Sequence, residues 1–178
     1  MAGQKSKIMA KVTSKSKPTQ KSASTRTSPT KKSVLKDQYQ SGRFGTIYPQ
    51  FQDKPKEAIH FLMKHREGEC IKALHRHDIG YIDIVWGEND QNNKGYGLKH
   101  IVEKHGGNIE ALGFKIEDFI PIVVQFGEFN ETISDAGKKV FESKMFRFVV
   151  ATNFEGRRKQ WLLTSFDIRK KPRKKSQA

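Results

Sequence analysis

Asp78-Ile79-Gly80-Tyr81-Ile82-Asp83-Ile84-Val85-Trp86-Gly87, followed by Gly95-Tyr96-Gly97-Leu98-Lys99-His100-Ile101-Val102-Glu103-Lys104-His105, is the stretch on which the reading of this chain turns. Tyr81–Trp86 alternates, with Ile82, Ile84 and Trp86 on one face, as a half-buried strand does. Residues 88–97 read as a polar, Gly-rich loop. Leu98, Ile101, Val102 and His105 then recur at helical spacing, with Gly106-Gly107 as the stop. A strand ending in Trp-Gly, a glycine loop and a helix carrying two histidines are parts for acid–base work on a phosphate. Imidazole exchanges protons near neutral pH, a helix N-terminus offers free N–H groups to an anion, and glycine admits a ligand close to the backbone.

The chain on either side supplies the rest of an α+β pattern. Pro55–His65 reads as a helix, with Asp53 as its N-cap and Ala58, Ile59, Leu62 and Met63 as its apolar stripe. Glu69–Leu74 reads as a strand. Ile116–Phe126 reads as a helix whose internal Pro121 needs a first turn or a kink. The period then changes to two. Thr132–Ser134, Lys139–Glu142, Met145–Thr152 and Lys159–Ile168 alternate like antiparallel strands, with turns at Asp135-Ala136-Gly137 and Asn153-Phe154-Glu155-Gly156. Helices first and a meander last is an α+β order.

Net charge is +15, but its distribution matters more than its sum. Residues 1–36 hold ten Lys/Arg and no acid, and residues 169–178 hold six and no acid. That leaves 18 basic against 19 acidic residues in 37–168, a nearly neutral body. The domain plan is therefore a basic tail (1–36), a folded body (37–168) and a second basic tail (169–178). The first tail is rich in Lys, Ser and Thr and too poor in apolar residues to fold. Such tails attract phosphate backbones without reading sequence, and equally suit an acidic protein or an anionic membrane surface. The single cysteine, Cys70, excludes an intrachain disulfide framework and fits a reducing compartment. No apolar run is long enough for a conventional signal peptide or a membrane span.

Four groups of residues carry candidate chemistry. His100 lies in the first helical turn beside Gly97, facing outward where an anion would sit. His105, five residues on, points about 140° away on an ideal helix and continues the apolar face, either at the cleft wall or as a satisfied core histidine. In the last strand, Lys159–Asp167, simple alternation sets Gln160, Leu162, Thr164 and Phe166 on one face and Lys159, Trp161, Leu163 and Ser165 on the other. Thr164 or Ser165 offers a hydroxyl to a phosphate oxygen, and Lys159, Arg158 or Arg157 offers charge to a phosphoryl transition state. Arg147, within an apolar strand, either pairs with an acid such as Asp83 or waits for a phosphate. His60, His65, Cys70, His75 and His77 lack the spacing of a zinc site, so no metal is expected.

At these residues the chain resembles the phage- and mobile-element-encoded nuclease domains of the barnase–EndoU–colicin–RelE class. The resemblance covers about residues 50–168. It rests on the Trp-Gly…Gly-Leu-x-His-Ile pairing and, more weakly, on the closing strand Trp161-Leu162-Leu163-Thr164-Ser165-Phe166. It implies N-terminal helices packed on a four-stranded antiparallel sheet, and cleavage of RNA without metal or cofactor. A base takes the ribose 2′-hydroxyl proton, that oxygen attacks phosphorus, and an acid protonates the leaving 5′-oxygen, giving a 2′,3′-cyclic phosphate. Carried over by residue, the resemblance makes His100 the general acid/base and Thr164 the hydroxyl on the scissile phosphate. His105 is assigned as second proton carrier and Lys159 as charge stabiliser. Gly97, Arg147, Arg158 and Ser165 complete the expected substrate-binding set. RNA is the expected partner, and a toxin-like ribonuclease implies an immunity or antitoxin protein. The expected site of action is cytoplasmic, reached by virion packaging or delivery as an effector. The competing expectation is a non-catalytic nucleic-acid-binding or packaging protein that works through its tails. A third is an effector that binds a host protein.

Overall fold

The computed structural model describes residues 40–169, apart from Asn93. The expected tails fall outside it except for Arg169, which pairs with Asp167 at 2.9 Å. The chain opens with a small hairpin, β1 (Ser41–Gly42) and β2 (Gly45–Thr46). Helix α1 (Pro55–His65) follows, starting on a proline whose missing N–H would have had no helical partner. Ala58, Ile59 and Leu62 bury completely along its stripe. Asp53 does not cap it. The cap position falls to Lys54, which makes no side-chain bond to the helix, while Asp53 takes a left-handed φ of 57° and accepts the Tyr81 hydroxyl at 3.2 Å.

Strands β3 (Glu69–Arg76) and β4 (Gly80–Val85) form an antiparallel hairpin. The segment expected to be loop then forms its own short hairpin, β5 (Glu88–Asn89) with β6 (Gly95–Tyr96). Next comes a continuous helical run in three parts: α2 (Gly97–His100), a π-helical turn (Ile101–His105) and α3 (Gly106–Glu110). Helix α4 (Ile116–Phe126) keeps Pro121 inside it. The remaining strands are β7 (Glu128–Phe129), β8 (Lys138–Glu142), β9 (Phe146–Phe154) and β10 (Arg157–Asp167). Residues expected as a strand at Thr132–Ser134 instead make a 3₁₀ turn over Glu131–Ile133.

The fold is α+β, but the sheet is larger than the four antiparallel strands expected. Its six strands run in the order β3-β4-β10-β9-β8-β7. All neighbours are antiparallel except β4 and β10, which run parallel and meet at Asp83 and Trp161. The reason is apolar. Ile82 and Ile84 of β4 bury in the same core as Phe148 and Val150 of β9, so the β3–β4 hairpin extends one wall. Nor are the helices gathered at the N-terminus. Among the described residues α1 is the only α-helix that precedes the sheet, and α2, α3 and α4 lie between β6 and β7.

One face of the sheet packs on the helices around Ile59, Leu62, Leu98, Ile101, Phe119, Ile120 and Phe148. Arg76, 6 % exposed, braces this layer. It forks onto Asp78 at 2.9 Å, donates to the Val124 carbonyl at the end of α4, and lies 4.5 Å from the Phe141 ring centre. The opposite face carries a smaller cluster of Val85, Ala151 and Trp161, topped by Phe44 of the first hairpin, 5.0 Å from Trp161. Among the described residues no helix is long and apolar enough to cross a membrane.

Candidate active site

The helix that carries both histidines starts where two glycines let backbone meet backbone. Gly87 and Gly97 both have left-handed φ, 75° and 77°. A Cβ on Gly97 would lie 2.9 Å from the Val85 and Trp86 carbonyl oxygens. The Lys99 N–H already donates to the Trp86 carbonyl at 2.8 Å. The close approach that Gly97 permits is therefore to the end of β4, and Gly97 is buried there rather than open to an anion.

Past His100 the helix widens into its π turn. On an ideal α-helix the fifth residue along points away from the first; the wider turn brings it back to the same side. The His100 and His105 rings accordingly sit 5.4 Å apart, edge to face. The helix continues through Gly106 and Gly107 to Glu110 rather than stopping at the glycines.

The two rings have different surroundings. His100 is 5 % exposed, so its expected outward position is not what the fold provides. Its Nδ1 lies 2.8 Å from Asn89 Oδ1, and the Asn89 amide nitrogen donates to Glu103 at 2.9 Å. That amide orientation makes Nδ1 the donor and leaves Nε2 of the neutral ring as a lone pair. Burial lowers the His100 pKa, with Lys104 adding to the effect, against smaller opposing pulls from Asp90 and Glu103. His105 is half-buried and stacks on Phe166 at 5.0 Å. Burial first, then the neighbouring His100 and Lys104, push its pKa down to about 4. Burial thus favours the uncharged ring at both positions.

Phe166 belongs to β10, whose faces differ from simple alternation. Irregularities between Arg158 and Trp161 and between Leu162 and Thr164 shift the register. Opposite Val150 and Phe148, Leu162 and Ser165 turn toward the helices. Trp161, Thr164 and Phe166, opposite Ala151, Val149 and Arg147, share the other face. Thr164 is thus one pleat repeat, about 7 Å, from the phenyl ring on which His105 stacks. The hydroxyl oxygens of Thr164 and Ser165 are both buried without a hydrogen-bond partner among the described residues. Ser165 faces the core, whereas Thr164 faces the histidine side. Arg147 stands over Phe166 at 5.7 Å. It pairs not with Asp83 but with Glu142, its Nε 2.5 Å from the carboxylate, because Glu142 is its cross-strand neighbour on β8. Hydrogen bonds from Asn130 and from Arg147 hold the Glu142 pKa below the ordinary carboxylate range.

Lys159 and Arg158 lie elsewhere. They lie at the start of β10; Arg158 and Thr164 stand opposite Asn153 and Val149, four residues apart on β9, so about 13 Å separates them along the sheet. Lys159 Nζ sits 2.6 Å from Glu69 and 2.5 Å from Asp83. Burial alone would lower its pKa, but the hydrogen bonds to Asp83 and Glu69 outweigh that and raise it. Its charge is already matched by two carboxylates. With Arg158 it lines a cleft of about 480 Å³, together with Arg43, Lys72, Tyr81, Asp83, Phe154, Arg157 and Gln160. The residues read from sequence as one site therefore form two groups: His100, His105, Thr164 and Arg147 near one end of β10, and Lys159 and Arg158 at the other.

Asn89, Glu103, Phe166 and Lys72 were not legible as site residues. An orienting amide and a stacking ring have no characteristic spacing, and Lys72 reaches the cleft only through a strand irregularity. Cys70 is fully buried, and burial, then Glu69, pushes its thiol up to about 12, which makes it inert. Among the described residues no group of His, Cys, Asp and Glu is placed to hold a metal ion.

An α+β domain with two imidazoles 5.4 Å apart, one of them stacked on the strand that bears a buried hydroxyl without a partner among the described residues, is equipped for proton transfer on a polar substrate. Residues 73–172, more than half of the chain, match the family model of the phage-Barnase-EndoU-ColicinE5/D-RelE like nucleases. The chain belongs to that family, and its folded body is a phage-type nuclease domain. No curated protein and no solved structure matches it. The matched segment starts inside β3, so α1 and the first hairpin lie outside it while contributing to the same cores.

Proposed function

We propose that this nuclease is a metal-independent endoribonuclease that cleaves RNA by 2′-hydroxyl attack. The observation that carries the reading is the π turn, which sets two neutral imidazoles side by side next to the strand that bears the Thr164 hydroxyl. A nucleophile supplied by the substrate needs only a base, an acid and donors for phosphorane charge. One ring of the pair, with the free Nε2 of His100 as the oriented lone pair, accepts the 2′-hydroxyl proton. The 2′-oxygen bonds to phosphorus and the bond to the 5′-oxygen breaks. The other ring takes up a proton from solvent as the arriving phosphate charge raises its pKa, and gives that proton to the 5′-oxygen. Thr164 donates to a non-bridging oxygen, while Arg147, paired with Glu142, braces the strand beside it. The resemblance to toxin nucleases extends the proposal to a toxin-like role with an immunity or antitoxin partner.

The test is incubation of the protein with end-labelled RNA in EDTA. A 2′,3′-cyclic phosphate end, and a loss of 10²-fold or more in His100→Gln and His105→Gln, is expected. Magnesium dependence, cleavage of DNA alone, or full activity in both variants refutes the mechanism.

A further inference from the structure

The geometry points to the cleft at the start of β10 as a second phosphodiester subsite, which holds an RNA strand a few nucleotides from the bond cut beside the histidines. This rests on the ribonuclease reading for its purpose but not for its chemistry. Of the cleft's cations, Lys159 is matched by Glu69 and Asp83, and Arg43 pairs with Glu155. Among the described residues, no carboxylate forms an ion pair with Lys72, Arg157 or Arg158. Three unmatched cations thus converge on one concavity with Tyr81, 37 % exposed, in its wall. Cations plus an aromatic face are what a single-stranded nucleic acid requires: charge for phosphate and a platform for a base.

Lys72 is the most telling residue. It has a left-handed φ of 55° inside β3, where the pairing with β4 slips between Cys70 and Leu74. Its N–H donates to Asp83 at 2.8 Å and its carbonyl accepts the Asp53 N–H at 3.1 Å, so both backbone groups are fixed. Glycine or asparagine would adopt this conformation more easily. A lysine held there, its ammonium 5.7 Å over the Tyr81 ring, directs charge into the cleft despite the strain.

The position says what the charge is for. By strand pairing, Arg158 opposite Asn153 and Asp83 opposite Trp161 lie on the same sheet face as Thr164 and Phe166. By the pairing with β9, the cleft is about 13 Å along the sheet from Thr164. At 3.4 Å or more per nucleotide, one strand spans this in roughly two to four nucleotides. The volume suits a nucleotide unit, whereas an acidic protein partner would require a broad surface.

The test pairs Lys72→Gly, which removes charge and relieves strain, with Arg157→Ser, in the full-length protein. Lys5→Ser/Lys7→Ser, with the same loss of charge, is the control. Cleavage of a decanucleotide should lose at least tenfold more kcat/KM than cleavage of a dinucleotide, through KM, in the cleft variant alone. Anisotropy with a 2′-O-methyl decanucleotide, which cannot be cleaved by 2′-attack, should show at least tenfold weaker binding and a salt slope smaller by about 1.4. If no protein cleaves RNA but this binding loss appears, the ribonuclease reading falls and the subsite stands. Equal losses on both substrate lengths, or binding no weaker than in the tail control, overturns the subsite. The latter result would make an acidic protein the occupant to seek.

Discussion

Replacing Lys159 with methionine tests whether that lysine serves the fold or the reaction. Its ammonium lies between Glu69, whose side chain is 2 % exposed, and Asp83, whose side chain is 15 % exposed. Methionine fills similar space but leaves two carboxylates facing each other in a poorly solvated position. Breaking a buried pair by removing one partner costs about 3–5 kcal/mol. The lower end applies here, because Lys159 retains 19 % exposure and Asp83 still accepts the Lys72 N–H. The expected loss is about 3 kcal/mol, a fall in Tm on the order of 10 °C for a domain of this size. Urea and thermal unfolding at pH 7 measure it. Adding Glu69→Gln should recover about 2 kcal/mol, since it removes the more buried of the two stranded charges. The raised Lys159 pKa fixes the pH dependence. Its contribution is fully present below the unfolded value of 10.5 and is lost as pH rises through the higher folded value. The deficit of the variant is therefore flat from pH 7 to 10. A variant that keeps its Tm within 2 °C but loses cleavage a hundredfold would refute the argument, because the charge would then be available to substrate.

Three further outcomes follow from the same geometry. The His105 ring should titrate near 4 in the folded protein by NMR, with stability falling as pH drops from about 6.5 toward 4, by at most about 2 kcal/mol after allowance for partial exposure; a midpoint above 6 contradicts its burial. Thr164→Val should leave stability unchanged or raise it by about 1 kcal/mol, since the buried hydroxyl has no partner among the described residues, yet lower RNA cleavage about tenfold or more; unaltered cleavage removes Thr164 from the site. Gly97→Ala, read by chemical denaturation, should cost about 3 kcal/mol because it meets both a left-handed φ and two carbonyl oxygens at 2.9 Å, whereas a loss below 1 kcal/mol would mean that the junction relaxes.

The elements with strong local signals were legible in advance. α1 and α4 carry helical apolar stripes, and β8, β9 and β10 alternate over enough residues to overrule chance. The Asp135 turn forms as its residue types require, with Asp135 Oδ1 accepting the Gly137 and Lys138 N–H groups at 2.8 and 2.9 Å. What misled was every inference that extended a regular period too far. The ideal helix separated His100 from His105; the π turn joins them. Ideal alternation put Thr164 with Leu162; the irregularity in β10 puts it with Trp161 and Phe166. Gly97 was recognised as a site of close approach, but its partner is the chain itself.

Sequence alone determined the α+β class, the family resemblance and the candidate side chains for proton transfer, because residue type and local periodicity are properties of the chain read in order. Tertiary structure decided which of those side chains meet. A bulge or a π turn changes the direction of every later residue by an amount that depends on the packing of distant strands. That is why Lys159 stands with Glu69 and Asp83, Arg147 with Glu142, and His105 with Phe166.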